Sequence, residues 1–132
     1  MFISAAHGAF TDAGWQAQDV DFVVTVTSTG IATPTLEAQV FTDMGFRSDI
    51  IRVSVFGLGC AGGVSGLSIA ATLTRGRPGA KVLLVVVEAC SLSFHADRFQ
   101  KADIIAAVLF GDGAAAACLS SEPSGSETRC AA

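Results

Sequence analysis

Six consecutive apolar residues, Val82–Val87, stand between Lys81 and Glu88, and this run limits the folds open to the chain more than any other feature. With Lys81 it makes a strand, Lys81–Val87, and it falls far short of the roughly 18–20 apolar residues that cross a bilayer. A strand apolar at every position has no face to offer water, so it needs cover on both sides, which helices supply in α/β sheets. Phe22–Thr27 (FVVTVT) and Arg52–Phe56 (RVSVF) are further β-rich runs, and Ala114–Leu119 is a fourth strand. Between them fall helical patterns at Ala5–Gly14, Leu36–Met44 and Val64–Thr74, the first two closed by Gly14 and Gly45. The order helix–strand–helix–strand–helix–strand–strand predicts an α/β layered fold whose sheet is covered by helices on both faces. A polar segment, Cys90–Asp103, precedes the apolar Ile104–Phe110, and Gly111-Asp112-Gly113 is expected to be a turn.

Composition narrows the function classes. Hydrophobic residues make up 51% of the 132 and charged residues 15%, which excludes a chain disordered throughout. From Ser120 onward (SSEPSGSETRCAA) the residues are small and polar, so 1–119 is expected to fold as one domain and 120–132 to be a disordered tail. A net charge of −4 offers nucleic acid no basic footprint. With no basic n-region at the start and no spanning run, neither a signal peptide nor a membrane association is expected. The cytoplasm is the expected location. Cys60, Cys90, Cys118 and Cys130 form no CxxC pair, so they are read as reduced thiols, and no metal site is expected.

Cys60 is the residue with the strongest chemical signal. It follows an apolar strand, lies inside the glycine-rich turn Gly57-Leu58-Gly59-Cys60-Ala61-Gly62-Gly63, and precedes a helical run. Glycines clear Cβ atoms from a crowded turn and let a thiol stand at the apex of a strand–turn–helix junction. The unpaired N–H groups of a helix start favour negative charge, and a thiolate is the nucleophilic form. The arrangement is that of a nucleophile elbow with cysteine in place of serine. From the turn alone, a small buried thiol and a nucleophile remain equal readings.

Four segments in order carry a wider resemblance: Val26–Gln39 (VTSTGIATPTLEAQ), Gly57–Leu67 (GLGCAGGVSGL), Val87–Phe94 (VEACSLSF) and Leu109–Ala117 (LFGDGAAAA). Together the chain resembles the N-terminal half of type III polyketide synthases, the chalcone/stilbene synthase family, in its bacterial form. The resemblance implies one half of a thiolase-like layered α/β fold and an acyltransferase that uses coenzyme A thioesters as substrates, with no other cofactor. Cys60 matches the nucleophile that takes the acyl starter. Phe110 matches the gatekeeper between coenzyme A tunnel and cavity, and Thr29, Glu88, Cys90 and Ser93 match pocket positions. Thr33 matches a loop position that crosses a dimer interface. Cys90 and Ser93 stand where plant members carry threonines, which implies a differently shaped pocket. Asp112 is read as structural.

Family members are about three times as long, and their second half supplies the histidine and asparagine of the condensation. Neither His7 nor His95 matches that histidine. The sequence is therefore read as a truncated chain, with acyl-CoA and malonyl-CoA as the expected substrates. Val64–Leu73 is apolar or small almost all round, as a fully buried helix should be, so a homodimer partner or the missing C-terminal half is expected to cover one of its faces. Two alternatives remain: a β-ketoacyl-ACP synthase III-like condensing enzyme, and a non-catalytic remnant that acts as a dimerisation partner.

Overall fold

The computed structural model describes residues 1–93, 100–121 and 129–131. Its centre is β1 (Phe22–Thr27), a strand buried at all six positions. β2 (Ile51–Phe56) and β3 (Lys81–Ala89) flank it, both parallel, with Phe22 level with Ile51 on one side and Val82 on the other. β4 (Asp112–Ser120) runs antiparallel to β3, and β5 (Arg129–Ala131) antiparallel to β4. The sheet order is β2-β1-β3-β4-β5.

Alternate residues of these strands feed two cores. Val23, Leu83, Val85, Val87 and Cys118 point to the face covered by α1 (Phe2–Ala13), which inserts Phe2, Ala6, Ala9 and Phe10. Phe22, Val24, Val26, Val82, Leu84 and Leu119 point to the face covered by α4 (Gly62–Gly76). Each large aliphatic side chain so buried contributes about 1.5–3 kcal/mol relative to exposure. The expected sheet with helices on both faces is the observed one.

α4 approaches the sheet through its small residues. Gly62, Gly66, Ala70 and Thr74 form its buried stripe. A Cβ placed on Gly66 would stand 2.5 Å from Val26 Cγ2 and 2.9 Å from Leu84 Cδ1, and one on Gly62 would stand 2.8 Å from Val26 Cγ1. The opposite side of α4 carries Val64 and Leu67, 75% and 41% exposed. The face expected to lie uncovered in this chain is thus the one turned away from the sheet.

Three elements differ from the sequence reading. The helix expected over Leu36–Met44 is two short ones, α2 (Leu36–Gln39) and α3 (Phe41–Met44), because Val40 leaves helical geometry at φ −96°, ψ 5°. That bend lets consecutive Val40 and Phe41 both pack against the α1-side core. The region expected to be polar up to Asp103 enters a helix, α5 (Lys101–Leu109), where the Asp103 carboxylate accepts the Gln100 N–H at 3.3 Å. The expected turn at Gly111-Asp112-Gly113 lies partly in β4, since Asp112 and Gly113 pair with Ala89 and Glu88. Ser120, assigned to the tail, is the last residue of β4. No helix among the described residues is long and apolar enough to cross a membrane.

Candidate active site

All three parallel strands end on the same edge of the sheet, and the loops that leave them converge there. Ligands of open α/β sheets bind beyond such carboxyl ends. β1 runs out into Ser28 and Thr29, β2 into the turn of Cys60, and β3, with Glu88 near its end, into a 3₁₀ turn at Cys90–Ser93. The last turn of α5 and the start of β4 close the far side. Between them lies a cavity of about 850 Å³, lined by Thr29, Cys60, Glu88, Cys90, Ser93 and Phe110 among others. That volume is in the range of small-molecule sites.

The Cys60 turn owes its shape to two left-handed glycines, Gly57 at φ 81° and Gly59 at φ 53°, a conformation costly for any residue with a Cβ. Gly59–Ala61 make a 3₁₀ turn that leads directly into α4, so Cys60 precedes the helix start by two residues and is exposed. Two bonds tie this turn to the end of β1. The Gly57 N–H donates to the Thr27 carbonyl at 3.3 Å, and the Gly59 N–H donates to Ser28 Oγ at 2.8 Å.

Glu88 is fully engaged by the chain itself. The Ser28 N–H donates to Oε1 at 2.8 Å, the Thr29 N–H to Oε2 at 3.0 Å, and the Thr29 hydroxyl to Oε2 at 2.5 Å. The Thr29 hydroxyl oxygen in turn accepts the Ala89 N–H at 2.7 Å. The carboxylate therefore joins β3 to the end of β1, the kind of backbone partner a part-buried charge requires. Asp112 does similar work on the other wall, accepting the Ser91 N–H at 2.8 Å and the Ser91 hydroxyl at 2.6 Å. Those two donors hold the Asp112 carboxyl below the ordinary aspartate value.

The structure brings together Cys60, Thr29, Glu88, Cys90, Ser93 and Phe110, all named from the sequence. Thr33 is exposed and lies outside the cavity lining. His7 sits on α1 and lines a separate open groove beside Trp15, and His95 lies outside the described residues. Sequence reasoning passed over Ser28, Ser91 and the α5 residues Ala106 and Ala107, which also line the cavity. The position of Ser28 directly after a parallel strand was the available signal. Among the described residues, no group of three or more histidine, cysteine or carboxylate side chains is placed to hold a metal ion.

Known proteins resemble this chain in sequence and in fold. The sequence profile of the N-terminal domain of chalcone and stilbene synthases matches residues 1–123. A 1,3,6,8-tetrahydroxynaphthalene synthase from Streptomyces peucetius subsp. caesius is 45% identical over 112 residues, which cover 85% of this chain and 29% of that protein. A putative chalcone synthase from Bacillus subtilis is 40% identical, over 89% of this chain and 32% of its own length. Among solved structures, germicidin synthase from Streptomyces coelicolor, a type III polyketide synthase, superposes with a TM-score of 0.87 at 31% identity, covering 92% of this chain and 32% of that one. The chain thus spans about a third of the length of the relatives it matches.

Proposed function

Since the chain belongs to the chalcone and stilbene synthase family, we propose that it forms the nucleophile-bearing part of a type III polyketide synthase, an acyltransferase acylated on Cys60. One observation carries the reading: Cys60 stands on its glycine turn at the cavity that Thr29, Glu88, Cys90, Ser93 and Phe110 line. In the loading step the Cys60 thiolate attacks the carbonyl carbon of an acyl-CoA thioester. The bond between that carbon and the coenzyme A sulfur breaks, and coenzyme A leaves as its thiolate. In the extension step malonyl-CoA loses CO₂, and its enolate carbon attacks the Cys60 thioester. A carbon–carbon bond forms and the Cys60 sulfur is released. Attack by the thiolate calls for a base or charge partner, and decarboxylation for donors aimed at the enolate oxygen. The family resemblance assigns these to a histidine and an asparagine of a second half. Slow loading, favoured only by the helix start beside Cys60, is therefore assigned to this chain, and condensation to this chain together with such a half, in a cytoplasmic homodimer. The exposed Val64 and Leu67 of α4 support an apolar partner surface of that kind.

The test is acylation. Incubation with a fatty acyl-CoA should add one acyl group to the chain, mapped to Cys60 by peptide mass and absent from Cys60→Ala. Acylation at Cys90 instead, or none at all, would overturn the assignment. Condensed product from malonyl-CoA is expected only when a C-terminal half from a relative is supplied.

A further inference from the structure

We infer that Ser28 is a positioning residue for the nucleophile: its hydroxyl oxygen holds the Gly59 N–H and so anchors the Leu58–Gly59 peptide, one residue before Cys60. The inference rests on the reading of Cys60 as the acylated residue. One conformation and two contacts carry it. Gly59 is in the left-handed region, so the step from the Leu58–Gly59 peptide to Cys60 has a conformation that local propensity does not enforce and a contact on that peptide helps to hold. The Ser28 Oγ contact, at 2.8 Å, reaches that peptide from 31 positions earlier in the chain. Ser28 is itself held, because its own N–H donates to Glu88 Oε1 at 2.8 Å. A continuous line of bonds therefore runs from β3 through Glu88 and Ser28 to the turn of Cys60. Within the turn the Ala61 N–H donates to the Leu58 carbonyl at 3.2 Å, whereas the link through Ser28 and the one from Gly57 to Thr27 tie the turn to the end of β1.

Removing the γ-oxygen should free the turn while leaving both cores untouched. Threonine at the same position keeps that oxygen. The experiment follows iodoacetamide alkylation of Cys60 and Cys90 by peptide mass in the full chain, for wild type, Ser28→Ala and Ser28→Thr. In Ser28→Ala, Cys60 alkylation is expected to slow about three- to tenfold relative to Cys90, the factor that one net hydrogen bond is worth. Ser28→Thr should restore the wild-type ratio. An unchanged ratio in Ser28→Ala, or equal slowing in Ser28→Thr, would overturn the inference. Amide hydrogen exchange on the wild type gives a second reading that needs no variant: the Gly59 N–H should be protected, and exchange at the free-peptide rate would overturn the contact. Wild-type Cys60 reacting no faster than Cys90 would instead count against the nucleophile reading, and the Gly59 amide would still report on Ser28.

Discussion

Replacing Gly66 by alanine adds a single methyl group, and the structure says where it must go. The new Cβ would lie 2.5 Å from Val26 Cγ2 and 2.9 Å from Leu84 Cδ1. Val26 and Leu84 are 1% and 5% exposed, in adjacent strands at the middle of the sheet, so neither can swing aside into solvent. In an open helix interior the change would stabilise the chain by about 0.5–1 kcal/mol. Overpacking of a filled core opposes it with about 1–3 kcal/mol. The second effect wins, and a net loss of about 1–2 kcal/mol follows, roughly 3–8 °C in Tm for a domain of this size. Gly63, one turn earlier, meets nothing within 4 Å. Gly63→Ala should therefore be neutral or slightly stabilising. Urea or thermal unfolding followed by circular dichroism measures both. A double-mutant cycle with Val26→Ala isolates the clash: the pair Gly66→Ala and Val26→Ala should lose at least about 1 kcal/mol less than the two changes summed. If Gly66→Ala is as stable as wild type and shows no coupling to Val26, close approach does not determine the seat of α4.

Burial, with Asp12 nearby, pushes the Cys118 thiol up to about 11. At pH 8 only about one molecule in a thousand then carries the thiolate, so Cys118 alkylation should track global unfolding, and labelling of the folded chain at the Cys60 rate would contradict that. Burial alone would raise the pKa of Glu37, but donation by the Thr35 hydroxyl at 2.5 Å and the Ser54 hydroxyl at 2.7 Å takes it below the ordinary value of 4.5. The lowered folded-state pKa means that this carboxylate stabilises the fold above pH 4.5 and that the contribution is lost as pH falls through the folded value. Glu37→Ala should cost about 1–3 kcal/mol at pH 7 and show a flatter acid-unfolding profile than wild type; an equally steep profile would rule the carboxylate out as its source.

The strands were legible because burial on both faces leaves a direct mark: Phe22–Thr27 was read with its observed limits, and Lys81–Val87 lacked only Glu88 and Ala89. Cys60 was legible because its glycines record a backbone that other residues avoid. α5 was not, since Ile104–Phe110 is apolar at every position, a short run that reads equally as a strand or a helix. Gly113 reads locally as a turn residue, and only its pairing with Glu88, 25 positions away by number, places it in a strand. The same limit hid Ser28, whose partner Gly59 is remote in sequence. The small residues at 62, 66, 70 and 74 were visible as a spacing, but the reason for them lies in Val26 and Leu84, on other elements.

The central place of β1 also sets the order of events when the chain is made. β1 is the first of the described strands to be made, yet its neighbours pair through Ile51 and Val82, so the second arrives 60 positions after Phe22. Until β2 is made both edges of this strand are unpaired, and until β3 is made one still is, a template for pairing with other chains. Contacts of such long range also slow folding relative to local ones. Nascent chains stalled before β3 should therefore be the species most prone to aggregate, and the stretch of synthesis between Ile51 and Val82 is where a holding chaperone has most to do.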